Sequence, residues 1–378
     1  MPIFKIKNHS KKLKKIIGTV IVFLLLNKQG LIYGEGAHFT VNPEMPSNQI
    51  LEHQGYFDLL MKPGEKQELT IRLTNTSSET LTIESSFNTA VTNNNGLAVY
   101  TDNGKKTDSS LKYNIKDYVK IPQQTIIPSH SEKNIVVDVQ MPNDQIAGTL
   151  AGGITLKEKP LPSEKQSKEG VGIINEYRYV IALLMQQNQE KVVPQLHLNK
   201  VEASQMNSRN VISMNIQNTE PTYLKDLFVS AHVEGKTGSK IKYDFEKSEM
   251  KMAPNSNFNF FIPVSIQGEL KGNNSKPLEP GKYHMSMAAY AEESDQGQYE
   301  VIVDNQKRNY EYKWIFNRDF DISTDEVQKY NKNDPTINHK TSPNLLMVVG
   351  IVILIIILLL LVFMVIRERK RSATNDKR

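Results

Sequence analysis

Leu69, Ile71 and Leu73 alternate with Glu68, Thr70, Arg72 and Thr74, and the same two-residue period returns at Ile135, Val137, Val139 and Met141. Leu227, Val229, Ala231 and Val233 repeat it, as do Phe258, Phe260 and Ile262. Successive side chains of a strand point to opposite faces, so each run predicts a strand with one face buried. The longest stripe sets Tyr310, Tyr312, Trp314, Phe316, Phe320 and Ile322 on one face against Glu311, Lys313, Asn317 and Asp319. Turn residues separate the runs: Lys62-Pro63-Gly64, Asn95-Gly96 and Glu279-Pro280-Gly281 supply the fixed or positive φ that tight reversals need. No long amphipathic helix is predicted between residues 37 and 341. Such a pattern predicts an all-β ectodomain of two immunoglobulin-like β-sandwich domains, residues 37–190 and 193–323, jointed near Gln187 to Pro194. Within it, Gly152-Gly153 reads most economically as a β-bulge, with close approach of a ligand as the alternative.

The two ends follow different rules. Lys5, Lys7, Lys11, Lys12, Lys14 and Lys15 precede an apolar run at residues 16–26. That order predicts a secretory signal peptide over residues 1–36, cleaved within 30–37; the run is too short for a span of about 20 residues. Residues 345–366 are uninterruptedly apolar, and Arg367, Arg369, Lys370 and Arg371 follow at once. At 1.5 Å per residue this stretch predicts a single C-terminal transmembrane helix. The basic tail, residues 367–378, stays cytoplasmic, so the N-terminus is outside. Between ectodomain and helix, residues 324–344 are polar and predict a stalk. The charged residues 157–170 predict a solvated loop.

Charge and composition then narrow the function. The chain holds 46 basic and 41 acidic residues, but 13 of the basic ones and two of the acids lie in the two ends; the exported part carries 33 against 39, a net of −6. Nucleic-acid binding thereby loses its electrostatic basis. Cysteine is absent, and an exported chain without disulfides points to a Gram-positive surface. The histidines, His9, His38, His53, His130, His197, His232, His284 and His339, are scattered without metal-ligand spacing, so no metal or cofactor is expected. Gly235-Lys236-Thr237 lacks the first glycine of a phosphate loop and reads as a hairpin. Neither a nucleophile elbow nor a cysteine nucleophile is present, so no catalytic residue is assigned. A surface glycan-processing enzyme and a membrane-tethered sensor are the alternatives; the first lacks a constellation and the second a cytoplasmic effector.

Aromatic residues give the better lead, since sugar rings present C–H faces that stack on aromatic planes while their hydroxyls bond amides and carboxylates. Tyr56, Asn94, Tyr100 and Tyr118 are the candidate glycan-binding residues, and core packing is the competing reading for each tyrosine.

The segments Gly55-Tyr-Phe-Asp-Leu59, Lys62-Pro-Gly-Glu-Lys66, Arg72-Leu-Thr-Asn-Thr76, Ala151-Gly-Gly-Ile154 and Met252-Ala-Pro-Asn-Ser-Asn-Phe258 resemble those of the WxL-interacting proteins of Gram-positive bacteria. The resemblance runs from about Phe39 to the end. It implies a peptidoglycan-binding first domain, a second domain that binds host proteins, and assembly with WxL-domain partners at the cell wall, all without catalysis. The chain departs from the family pattern between Tyr290 and Tyr310, where a hairpin is lengthened. There Tyr299, Val301 and Val303 predict an edge strand open to β-augmentation by a partner.

Overall fold

The computed structural model describes residues 37–51, 54–102, 104, 106–160, 176–236, 241–268, 272, 275–337 and 345–375. The expected signal peptide lies outside the described residues. The first domain is built from β1 (Phe39–Pro43), β2 (Phe57–Leu60), β3 (Lys66–Asn75), β4 (Leu81–Thr89), β5 (Val91–Thr92), β6 (Ala98–Val99), β7 (Val119–Lys120), β8 (Gln124–Ile127), β9 (Glu132–Gln140), β10 (Thr149–Glu158) and β11 (Arg178–Gln186). A four-stranded sheet, β1-β3-β9-β7, faces a five-stranded one, β2-β11-β10-β4-β8. The alternating residues of β3 and β9 meet in register, Leu69 opposite Val137 and Ile71 opposite Ile135. All four are at most 1% exposed, together with Leu73, Phe57, Leu59, Ile83 and Ile154.

The second domain comprises β12 (Leu196–Met206), β13 (Arg209–Asn218), β14 (Leu224–Gly235), β15 (Lys242–Met252), β16 (Ser256–Pro263), β17 (Gly281–Glu293), β18 (Tyr299–Val303) and β19 (Gln306–Ile322), followed by α1 (Thr324–Asn333) and α2 (Leu345–Asn375). Its sheets are β12-β13-β16 and β15-β14-β17-β19-β18. Three strands against four is an immunoglobulin-type division, here with β18 added at one edge. Leu227, Val229 and Val233 of β14 meet Phe258, Phe260 and Ile262 of β16 in the core between them.

Four local expectations change. The aromatic stripe of β19 is split. Trp314, Phe316 and Phe320 pack on the main core, whereas Tyr310 joins Phe228, Tyr290 and Val303 in a separate cluster. Near this level Asp226, Glu249 and Glu292 all take positive φ, 51°, 56° and 59°, and β14 breaks register with β15 on both sides of Leu227. Such bulges bend a sheet and re-aim the side chains beyond them. Gly152-Gly153 is no bulge, because both residues pair regularly with Leu183 and Ala182 of β11. They are glycines because a Cβ on Gly152 would meet the Phe87 ring at 2.5 Å and one on Gly153 would meet Tyr100 at 2.4 Å. The charged segment at residues 157–170 begins in β10, whose Glu158 is buried against His38 at 2.8 Å; residues 161–170 lie outside the described residues.

The fourth change concerns the expected stalk. Ser323 caps α1 in a reciprocal box with Glu326, and Val327 and Tyr330 pack on the second core. Asp334 and Thr336 are fully buried. Asp334 accepts a hydrogen bond from the Asn210 amide at 2.9 Å, Thr336 bonds the Ser275 hydroxyl at 2.8 Å, and Ile337 bridges to Ser275. Residues 324–337 are therefore part of the second domain's packing. Of α2, side chains are described for residues 350–365, and those from 351 to 365 are about half exposed. Among the described residues no helix is long and apolar enough to cross a membrane.

Candidate functional site

The two domains meet through a dense contact. The Thr149 amide donates to the Pro221 carbonyl at 2.7 Å and the Lys251 amide to the Gly96 carbonyl at 2.8 Å. Thr92 and Ser256 share a buried hydroxyl pair at 2.6 Å, and the Ala253 amide donates to Thr92 at 3.0 Å. Ala90, Ala151, Tyr223 and Ala253 form a small apolar core between the domains. Gly148 sits at φ 74° with space for no side chain, since a Cβ would lie 2.2 Å from the Pro221 carbonyl oxygen.

Beside this contact opens a cleft of about 670 Å³. The first domain contributes Tyr56, Asp58, Tyr100 and Gln186, with Leu51 and Val180 as exposed apolar patches; the second contributes Tyr223, Lys225 and Lys251. Tyr56 immediately precedes β2, and Asp58 lies within that strand. Tyr100 follows β6 and packs its Cβ and Cγ over Gly153, whose missing side chain makes the room. Its hydroxyl meets that of Tyr223 at 3.0 Å. Lys225 and Lys251 flank the bulged level of β14 and β15, and Glu292 accepts the Lys225 amide at 3.1 Å.

Burial sets the electrostatics of the cleft. It raises Asp58, while the hydrogen bond from Gln186 at 2.9 Å and the charge of Lys225 pull the carboxyl back down. Burial likewise raises Tyr56, with Asp58 and Tyr100 adding to it, and lifts Tyr223 well above the usual phenol range. Tyr56 and Tyr223 therefore stay protonated at neutral pH, as hydrogen-bond donors. Lys251 is lowered by the packing of the cleft and further by Lys225, and its ammonium stands 4.8 Å from the Tyr223 ring centre. Two cations, aromatic planes and a hydrogen-bonded acid thus line one opening, an arrangement suited to a polar ligand that carries both C–H faces and anions.

The four expected glycan residues divide. Tyr56 and Tyr100 share this cleft. Asn94 lies on the exposed turn closed by the Gly96 amide and the Asn93 carbonyl at 2.9 Å. Tyr118 lines a separate depression of about 400 Å³ with Lys66, Glu68, Asp117 and Lys120. Tyr223, Lys225 and Lys251 were not singled out from the sequence, because their approach to Tyr100 depends on how the domains dock.

The lengthened hairpin ends in β18, which pairs with β19 alone and forms the sheet edge. Val303 is 1% exposed, and Tyr299 and Val301 pack beside it on Phe228, Tyr290 and Tyr310. Ile302, at 63%, faces solvent.

Residues 39–158 match the WxL Interacting Protein, peptidoglycan binding domain, and residues 168–332 match the WxL Interacting Protein, host binding domain. The chain belongs to the WxL-interacting protein family. This WxL-interacting protein is a cell-surface protein built from two binding domains. The second match begins before β11, although β11 is an inner strand of the first sandwich. No curated protein matches the chain in sequence. Among solved structures, the YadV chaperone is 13% identical, with 74% of this chain and 100% of that one covered at a TM-score of 0.29. The CsuC-CsuE chaperone-tip adhesion subunit complex of Acinetobacter baumannii is 10% identical, with 59% and 90% covered at 0.30. The E. coli chaperone DraB is 12% identical, with 71% and 96% covered at 0.25.

Proposed function

We propose that this WxL-interacting protein is exported, anchored in the membrane through the apolar residues 345–366, and holds peptidoglycan in the cleft between its sandwiches while docking WxL-domain partners. The observation that carries the reading is the convergence of Tyr56 and Tyr100, from the peptidoglycan-binding domain, with Lys225 and Lys251. Tyrosine planes take the C–H faces of the glycan, Asp58 and Gln186 take hydroxyl and acetamide groups, and the two ammonium groups take the free carboxylates of the peptide branch. Nothing in this scheme requires bond cleavage. The anchor is supported by the apolar residues 345–366 and the basic residues that follow them. Docking of a WxL-domain strand is supported by the open edge of β18.

The full chain in detergent should sediment with purified peptidoglycan. Tyr100→Ala should lower the affinity about tenfold, the size of a lost stacking contact, while the thermal midpoint shows that the fold persists. The double variant Lys225→Ala, Lys251→Ala should weaken binding and flatten its salt dependence. Unaltered sedimentation of both variants would remove peptidoglycan from this cleft.

A further inference from the structure

The solvent-facing side of β12-β13-β16 carries five carboxamides: Asn199, Asn215, Gln217, Asn257 and Asn259. The register sets Asn215 opposite Asn259 and Gln217 opposite Asn257. An irregularity between Leu198 and Lys200 brings the exposed Asn199 beside them. The groups form one hydrogen-bonded array. Asn199 donates to the Asn215 carbonyl at 2.9 Å and to Gln217 at 3.0 Å; Asn215 donates to Asn257 at 3.1 Å and to Asn259 at 2.9 Å. Gln217 at 2.7 Å and Asn257 both donate to Asp108, which reaches over from the first domain.

Asparagine is disfavoured in strands, where β-branched residues fit the pleat better. Hydrogen bonds between such half-buried amides return only a modest net stability each. Holding Asp108 across the domain contact accounts for Gln217 and Asn257; Asn199, Asn215 and Asn259 bond within the second domain, and on them the strand preference is overridden without that gain. What the array does supply is orientation. Asn215, Gln217 and Asn257 are engaged at both ends, which holds Asn199 and Asn259 by one end each, so the Asn259 amino group and the Asn199 carbonyl keep capacity for a ligand. Phe261, opposite Ser213 in the next row and half-buried, offers an apolar plane on the same face. An opening of about 570 Å³ lies at the other end, lined by Lys106, Thr107, Asp108, Ser109, Asn199, Gln217 and Asn257. The amides are uncharged, and at their head the carboxylate of Asp108 and the ammonium of Lys106 offset each other. The matching ligand is neutral and rich in vicinal hydroxyls.

We propose that this face binds a neutral oligosaccharide of the host, so that the host-binding domain recognises a glycan. The proposal rests on the host-binding reading of residues 168–332.

The full chain in detergent would be applied to a printed array of neutral mammalian oligosaccharides, and to an immobilised desialylated serum glycoprotein before and after enzymatic deglycosylation. The expected result is binding to neutral glycans and to the intact glycoprotein, lost on deglycosylation. Asn215→Thr with Asn259→Thr should lower that binding at least tenfold, leave the thermal midpoint equal or higher because threonine suits a strand, and leave peptidoglycan sedimentation unchanged. Phe261→Ala should weaken binding in the same assay. Binding that survives deglycosylation would overturn the glycan while keeping host binding; no binding to either form would remove both. A double variant that binds like the parent, or that loses binding together with several degrees of midpoint, would also overturn the proposal, the latter by making the array structural.

Discussion

Asp108 ties a loop of the first domain to the amides of the second. Burial alone would raise its carboxyl, but hydrogen bonds from Asn257, Ser110 and Gln217 outweigh it and hold the group below the usual range. A depressed folded pKa means that the ionised form stabilises the native contact. Its contribution is complete above the unfolded value of about 3.9 and disappears as pH falls through the lower, folded value. The thermal midpoint of the parent should therefore fall more steeply below about pH 4 than that of Asp108→Asn, whose curve lies lower at neutral pH. Parallel curves would mean that the carboxylate adds nothing to the contact. Little of this was legible in the sequence, where Asp108 is one acid among 41. Tyr56 and Tyr100 could be found because aromatics near Asn and Asp suggest sugar binding. Lys225 and Lys251 could not, since a lysine's sequence neighbours do not disclose which domain it will face. Gly153 carried a real signal, but its two explanations, a bulge and a close approach, differ only in what lies over the strand, and Tyr100 does.

At the scale of elements, the period-2 runs gave the strands, because one-sided burial leaves that trace whatever the topology. The end of β19 escaped: Tyr310 joins the cluster of Phe228, Tyr290 and Val303 beside the level where Asp226 and Glu292 take positive φ, and acidic residues with positive φ carry no pattern that announces them. Helix α1 escaped because its sequence is almost wholly polar, although Ser323 and Glu326 spell a capping box. The hairpin of β18 and β19 turns through Asp304 and Asn305, with φ of 50° and 63°. In such a two-residue turn, the flanking Val303 and Gln306 exchange hydrogen bonds, so alternate residues Glu300 and Ile302 direct their backbone groups to the open edge. Ile302→Pro should therefore abolish docking of a WxL-domain partner and leave the fold intact. Val301→Pro would instead break the hairpin's own ladder and disturb its cluster with Tyr290. Partner affinity measured by surface plasmon resonance decides the matter, and an undiminished value for a folded Ile302→Pro would place the docking surface elsewhere.

For the molecule as a whole, the contact between the sandwiches makes the cleft a property of both domains, so an expressed first domain alone carries only its Tyr56 and Tyr100 side. The proposed anchorage adds a mechanical dimension. A cell-surface protein held by the wall at one site and by the membrane at another bears load whenever the envelope is strained. Tension from the membrane side enters at Ile337, reaching first the bridge to Ser275, the Asp334 and Thr336 hydrogen bonds and the docked α1. Only afterwards does it meet β19, which is paired along β17 from Tyr310 to Ile322 and would have to shear. The short contacts yield before the long one. Peeling residues 324–337 away adds on the order of 30 Å of reach before either sandwich opens. Force spectroscopy on the full chain should show that small extension as a separate early step, shifted to lower force in Asp334→Ala. A single rupture with no early step would mean that the segment and the domain yield together. The capped helix then behaves as slack stored against the second domain, a fuse that lengthens the tether while both binding faces stay folded.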